Sequence, residues 1–533
     1  MSASPVLNKI LDELDRRSSG IHIIFLTGII VIGFVLRFYG FYAGQGYHYF
    51  AINDELSAYE YALSFLAGDE KAWYLGQPSF AGGHAPGPVW TIFWVSLLKL
   101  GGNSVDGAIF WMVALNTFTI YLVYLVARKF LESRYALATT LIFATAPWPI
   151  YYSVGVWNPI PLAFWGGLLF LSLWAVANQH YSRRIFWVCL IAAIIPQIHM
   201  VSIFYIPAIL LILFLIPTRL NKQWFVAGMI AGAAVYVPYI IGEIYHDWEN
   251  TRHILGKGTD FSFGVLKIIS APVTVLSSVP ARWTEGGFAE LKHFGNRYFG
   301  SYFVLVFFGL VSFANAVVYL ASFLSSFFRS LKGKWLSLRE AYESNSAFSF
   351  IGILIAVPIL LFSLSGQNYA TRYTIVIFPL LFLLPGLFLK NIKNARTKRF
   401  WIGNIASVTV FNIFLVISFF TYQNGLIDES NNFLATFRKL EMLRQTLRSD
   451  AGDGAFIKVH IADDVNALPE KSRKTKAAIP HYMAIHQQFI SHTTSSRQTK
   501  VYLLQLAENL KGREKGVVYK GNGIAIVAVD SGR

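Results

Sequence analysis

Apolar residues in this chain come in long uninterrupted runs separated by short polar connectors. The pattern has neither the strict alternation of half-buried strands nor the single apolar stripe of a soluble surface helix. A hydrocarbon core about 30 Å thick takes about 20 helical residues to cross. Runs suited to that task lie at 20–43, 105–127, 134–152, 157–178, 184–200, 203–217, 223–243, 300–328, 347–365, 374–390 and 401–421. A further run, 86–101, is shorter and opens with HAPGPVW, a Pro/Gly turn.

Charge decides how that last run is read. Basic clusters fall at Lys9/Arg16/Arg17, Arg128/Lys129/Arg134, Arg183/Arg184, Arg219/Lys222, Arg329 to Arg339, and Lys390 to Arg399. Cytoplasmic loops carry the Lys/Arg excess, and all six clusters share one side only if 86–101 does not cross. The sequence therefore predicts eleven spans, with 86–101 a half-height or interfacial helix of the first external loop. The external segments are then 44–104, the turn at Trp157 and Asn158, the stretch near His199, 244–299, 366–373, and everything after 421.

Composition fits this picture: 55% hydrophobic, 16% aromatic and 14% charged residues belong to a polytopic membrane protein. A net charge of +16 would suggest nucleic acid in a soluble chain, but here it follows from topology signals, so no nucleic-acid partner is expected. The single cysteine, Cys189, excludes a disulfide framework and a Cys-based metal cluster. The first residues are too polar and acidic for a signal peptide, so the run from Ile21 reads as an uncleaved anchor.

The expected fold class is an all-α polytopic bundle of about 11 transmembrane helices, with amphipathic surface helices in the first external loop. Residues 1–421 form the transmembrane domain, including external loops 44–104 and 244–299, and 422–533 a small extracytoplasmic α/β domain. In the latter, NNFLATFRKLEMLRQTLRS predicts a helix and GAFIKVHIA, KVYLLQL and GIAIVAV predict strands. No internal repeat is visible, which speaks against a transporter built from repeated halves.

The first external loop holds the densest carboxylates, in NDELSAYEYALSFLAG. Asn53 suits an N-cap, Asp54 and Glu55 the dipole-favoured first turn, and Gly68 the end of a helix. Leu56, Tyr59, Leu63 and Leu66 recur at spacings of three and four, predicting an amphipathic helix on the membrane surface. The acidic pair either caps this helix or acts as a general base on a hydroxyl or phosphate acceptor at the lipid boundary. His84 follows in the same loop.

These residues resemble the GT-C membrane glycosyltransferases, in the branch of protein O-mannosyltransferases, lipid A aminoarabinose transferases and RgtA/B/C/D-like proteins. NDELSAYEYALSFLAG is similar to that branch's Asp-Glu motif, and GQPSFAGGHAPGPVW to its Pro-rich turn. ATAPWPIYYSVGVWNPIPLAFW resembles its second external turn, and QNYATRYTIVIFPLLFLLPG its Arg-Tyr turn with a Pro-bearing helix. The likeness covers roughly 20–421 and leaves the tail aside. It implies transfer of a single sugar from a polyprenyl-phosphate donor, with inversion, on the periplasmic or exoplasmic side of a plasma membrane. Two positions depart from the pattern: Gly83-His84-Ala85-Pro86 lacks an acidic or Lys residue before the proline, and Asn158 stands where an Asp is common. Losing that carboxylate weakens the case for a divalent metal, so no metal or other cofactor is expected beyond the lipid-linked sugar itself.

Under that resemblance Asp54 is the expected base, with Glu55 orienting it or replacing it. His84 either binds the donor phosphate or a sugar hydroxyl, or is merely solvated. Asn158 either holds a sugar hydroxyl or starts a helix before Pro159. Arg372, beside Tyr373, either clamps the departing phosphate or anchors the turn to lipid headgroups. His246, Asp247, Arg252, His253 and Lys257 form a polar cluster that either touches acceptor or phosphate or, for most of them, is an ordinary solvated loop, and His199 reads as a packed residue. Tyr59, Trp90 and Trp157 are candidates for stacking on a sugar. The acceptor is a lipid, glycan or protein. The competing class is a lipid-linked-sugar or polysaccharide transporter, disfavoured because the spans are almost free of central charges. No Walker A, HExxH or zinc-type Cys/His spacing is present.

Overall fold

Long apolar runs become helices because inside a bilayer only intrahelical hydrogen bonds satisfy every backbone group. The computed structural model describes residues 20–44, 54–78, 83–155, 157–216, 218–256, 265–278, 288–331, 346–364, 371–429, 437–451, 456–461, 499–506, 517–521 and 524–529. Its first helices are α1 (Gly20–Gly44), α2 (Asp54–Ala67), α3 (Glu70–Tyr74), α4 (Val89–Leu100), α5 (Val105–Phe130), α6 (Ser133–Thr145), α7 (Pro147–Tyr151), α8 (Leu162–Asn178) and α9 (Ile185–Ile198). A tight helix, Met200–Phe204, leads into α10 (Tyr205–Leu215), followed by α11 (Lys222–Tyr245), α12 (Glu249–Gly256), α13 (Val265–Leu276), α14 (Phe288–Phe299), α15 (Tyr302–Leu331) and α16 (Ser346–Leu364). A second tight helix, Thr371–Ile377, runs into α17 (Phe378–Leu381) and α18 (Leu383–Asn391), and then come α19 (Ala395–Glu429) and α20 (Phe437–Ala451).

Seven of these segments are long and apolar enough to cross a membrane: α1, α5, α11, α15, α16, the run 371–391, and α19. The chain is a multi-pass membrane protein. Four more apolar helical segments, at 89–100, 162–178, 185–198 and 200–215, are shorter. The 134–152 run is divided between α6 and the Pro-initiated α7 at Ala146, whose extended backbone interrupts the helix. At 12 residues, α4 spans only about 18 Å, well short of the core. Its Trp90 and Trp94 are buried, so it is held by packing.

Contacts between helix ends show which connectors share a face. Lys390 Nζ donates to the Phe130 carbonyl at 3.3 Å and Lys398 Nζ to the Tyr135 hydroxyl at 2.9 Å, uniting the 128–134 and 390–399 clusters. Tyr181 N–H donates to the Arg219 carbonyl at 2.7 Å, and Arg219 N–H to His180 Nδ1 at 3.1 Å. Phe130 and Trp174 rings lie 4.5 Å apart, bringing the end of α8 to the same place. Four of the basic connectors, 128–134, 180–184, 219–222 and 390–399, thus gather at one end. α9 and α11 leave it in parallel, with Gly228 against Phe186 and Cys189, and Gly232 against Ala193. Their far ends, near His199 and Tyr245, therefore share the opposite face.

One span carries a charge that the sequence pattern passes over. Arg37 in α1 is fully buried; Nε donates to Ser153 Oγ at 2.9 Å, and Nη1 to the carbonyls of Gly33 and Ala144 at 3.0 Å each. Those bonds offset its desolvation and tie α1 to the 144–153 reversal.

Strands β1 (Phe456–Ile461), β2 (Thr499–Leu506), β3 (Val517–Gly521) and β4 (Ile524–Val529) form one sheet in the order β1-β2-β4-β3. β1 pairs with β2 in parallel, and β4 pairs antiparallel with both β2 and β3. α20 packs on it through Leu440, Leu443 and Leu447, buried at helical spacing. Three of these strands lie where alternation predicts them, and β3 is additional. α19 continues through residue 421 to Glu429, past the expected domain boundary.

Candidate functional site

α2 begins at Asp54, so Asp54 and Glu55 occupy its first turn as expected; their side chains, like residue Asn53, lie outside those described. The helix closes at Gly68, where φ is +82°, with Asp69 N–H on the Ser64 carbonyl at 3.0 Å. The buried stripe differs from the predicted one: Ala58, Tyr59 and Ala62 face the core, while Leu66 is exposed. Small alanines win these positions because α2 packs closely on α4.

The Pro-rich turn folds back between α2 and the end of α11. His84 Nδ1 lies 2.8 Å from the Gly76 carbonyl and 3.1 Å from the Tyr61 hydroxyl. A carbonyl only accepts, so Nδ1 carries a proton. Burial, then Asp69 and Glu60, raise the pKa of Tyr61 and keep its phenol neutral. Asn250 clamps the turn: Oδ1 accepts from His84 N–H at 2.6 Å, while Nδ2 donates to the His84 carbonyl at 3.0 Å and the Tyr239 hydroxyl at 2.8 Å. Only glycine fits at 83, where φ is +70° and a Cβ would stand 2.2 Å from Asn250 Oδ1. Gly87, at φ +126°, likewise lies against buried Gln197, whose Nε2 donates to the Val235 carbonyl at 2.9 Å. The loop is thereby sealed to α9, α11 and α12.

A second polar group stands on the same face. The Arg372 guanidinium lies 5.1 Å from the Trp157 ring centroid and 5.0 Å from that of Tyr373, and Nη2 donates to the Tyr373 hydroxyl at 3.2 Å. No described carboxylate lies within ion-pair distance of it. His199 closes on the same ring, its centroid 5.8 Å from that of Tyr373, and the Tyr205 hydroxyl donates to the Tyr373 carbonyl at 3.4 Å. Rings hold the cation by their quadrupoles without neutralising it. An anion arriving there meets a full positive charge.

The structure separates the predicted residues into two groups. Arg372, Tyr373, Trp157 and His199 come together; His84, His246 and His253 come together elsewhere, around a cavity with Glu243, Glu249 and Asn250. Asp247 and Arg252 of the predicted cluster do not line that cavity, since Arg252 turns its Nη2 to the Asp247 carbonyl. Lys257 lies outside the described residues. Asn158 does not start a helix, because α8 begins only at Leu162 behind Pro161. Trp90 and Tyr59 cannot stack on a ligand: both are buried, and Trp90 Nε1 donates to Gln77 Oε1 at 2.9 Å. Glu243, Glu249 and Asn250 were not among the candidates read from the sequence, whereas His199 packs on the Tyr373 ring as that reading has it. A buried carboxylate at the end of an apolar span, as at Glu243, was the available signal. Among the described residues, no group of three or more His, Cys, Asp or Glu is arranged to hold a metal ion.

Among solved structures the chain is similar to ArnT from Cupriavidus metallidurans bound to undecaprenyl phosphate, with a TM-score of 0.54 at 13% identity over 97% of this chain and 99% of that one. ArnT in the apo state gives a TM-score of 0.53 at 13% identity, over 96% and 98% of the two chains. The Archaeoglobus fulgidus oligosaccharyltransferase tethered with an acceptor peptide gives 0.47 at 13% identity, over 92% and 70%. By sequence the chain matches no protein-family model and none of the curated proteins compared with it. The likeness is one of fold: over nearly its whole length the chain folds like ArnT.

Proposed function

We propose that this protein is an integral-membrane glycosyltransferase that moves a single sugar from a polyprenyl-phosphate donor to an acceptor on the face opposite its basic loops. By the positive-inside rule that face is periplasmic or exoplasmic. The observation that carries this reading is Arg372: a half-buried guanidinium between two rings, with no described counter-carboxylate, in the fold of a protein bound to undecaprenyl phosphate.

In this reading the acceptor hydroxyl oxygen attacks the anomeric carbon from the side opposite the phosphate, and the bond from that carbon to the phosphate oxygen breaks. One displacement inverts the centre. The hydroxyl proton passes to a carboxylate in the first turn of α2, Asp54 by preference and Glu55 as its partner or substitute. The electron pair of the broken bond leaves on polyprenyl phosphate, whose growing charge Arg372 stabilises through charge-assisted hydrogen bonds. Asn158 stands in the same external turn as Trp157, positioned to hold a sugar hydroxyl. No nucleotide is consumed, because the donor carries its activation in the phosphodiester, and no metal is called on. The active centre belongs to a transmembrane domain ending near 421, with eleven spans and the α/β tail outside it.

The test is transfer of labelled sugar in membranes supplied with lipid-linked donor, for wild type and Asp54→Asn. Loss of transfer with normal insertion supports the assignment, and transfer at the wild-type rate rejects Asp54 as base. Lipid movement without transfer would favour the transporter.

A further inference from the structure

The cavity beside His84 is chemically the opposite of the Arg372 cluster. It encloses about 150 Å³, the size that accepts one six-membered ring. Its polar lining among the described residues is Glu243, Glu249, His84, His246, His253 and Asn250, with no described Lys or Arg. Glu243 is buried and accepts the Thr251 N–H at Oε2, 3.1 Å away; Asn250 commits both amide hydrogens to the His84 carbonyl and Tyr239. Carboxylates and imidazoles therefore supply the lining's readable groups.

That lining selects by charge. Among the described residues a phosphate or carboxylate ligand would meet two glutamates and no Lys or Arg, so like charge disfavours it. A ring bearing hydroxyls can donate to the carboxylates and exchange hydrogen bonds with the imidazoles, and an ammonium gains further. The chain on either side of the lining adds ring faces: Tyr245 and Trp248, which bracket His246, are 69% and 48% exposed. Trp248 sits with Asp247 in a left-handed reversal, φ +60° and +52°, that returns α12 over the end of α11. The Tyr61 contact ties the cavity to α2, seven residues or about 10 Å along the helix from Asp54.

We propose that this cavity is an acceptor subsite that seats one neutral or amino-bearing sugar ring, making the acceptor a glycan or glycolipid. The assignment rests on the glycosyltransferase reading and names the substrate class which that reading leaves open. Glu249 and His246 read the ring's hydroxyls, and Glu243 supplies the buried carboxylate behind them.

The experiment titrates the full chain in nanodiscs by saturation-transfer NMR with the methyl glycosides of glucose, galactose and mannose, with glucosamine, and with glucose 1-phosphate. Undecaprenyl phosphate binding is measured in parallel. At least one neutral or amino probe saturates, and glucose 1-phosphate binds it about tenfold more weakly or worse. Glu249→Gln and His246→Gln, both near the surface and safe for folding, each weaken that probe about tenfold and leave undecaprenyl phosphate binding unchanged. The proposal is overturned if no neutral or amino probe saturates, if neither variant changes binding, or if glucose 1-phosphate binds equally well. Zinc binding through Glu249 and His253 with no sugar binding would also overturn it, reassigning the cavity to a cation. Undecaprenyl phosphate binding that persists through any of these outcomes leaves the transferase reading standing; absence of lipid-phosphate binding removes that reading itself.

Discussion

Arg372 is gripped by the rings of Trp157 and Tyr373, whereas His84 is fixed by the Gly76 carbonyl and the Asn250 clamp. Both stand at the end of the bundle away from the basic loops. The first is a cation with no described carboxylate against it; the second opens on a cavity whose described lining carries two carboxylates, Glu243 and Glu249, and no Lys or Arg. A cationic cluster and an acidic cavity on one face suit a reaction in which an anionic lipid phosphate departs and a hydroxylated partner arrives. A transporter that moves one amphiphile has no need of that separation.

The difference can be broken or sharpened by four measurements. The largest effect belongs to Asp54→Asn, expected to slow sugar transfer by roughly 10²–10⁴-fold in a membrane assay while undecaprenyl phosphate and glycoside binding persist. Next comes Arg372→Ala, expected to weaken undecaprenyl phosphate binding roughly 10- to 100-fold. If it weakens glycoside binding as strongly, the cluster and the cavity are not independent. Gly83→Ala forces a side chain against Asn250 at a left-handed backbone position; a loss of about 2 kcal/mol in thermal unfolding, with weakened glycoside binding, is expected. Unchanged stability would show that the loop is not clamped as described. Smallest is Trp157→Leu, which removes one cation–π contact of about 0.5–1 kcal/mol and should weaken lipid-phosphate binding roughly two- to fivefold. An effect confined to the glycoside would place Trp157 with the cavity.

Features set by neighbouring residues were legible before any coordinates. The start of α2 at Asp54 and its end at Gly68 follow from capping and a left-handed terminus, both local. The short α4, and the gathering of four basic connectors at one end, follow from run length and charge bias. Where packing partners decide, the pattern misled. Leu66 belongs to the apolar repeat yet is exposed, because α4 covers the neighbouring face bearing Ala58 and Ala62. Trp90 is aromatic and near the external loop, yet it is a core residue bonded to Gln77. Arg37 looks like a flaw in an apolar span and is in fact a buried tie to the 144–153 reversal.

The sequence by itself determined that the chain is built of membrane-crossing helices, that four of its basic connectors share one end, and which motifs resemble a sugar transferase, because hydropathy, charge and local caps act over a few residues. Tertiary structure decided which of the candidate side chains meet. The contact between His84 and Asn250 spans 166 positions, and that between Arg372 and Trp157 spans a larger gap still. Helix packing brings such pairs together, and no periodicity within either segment encodes it.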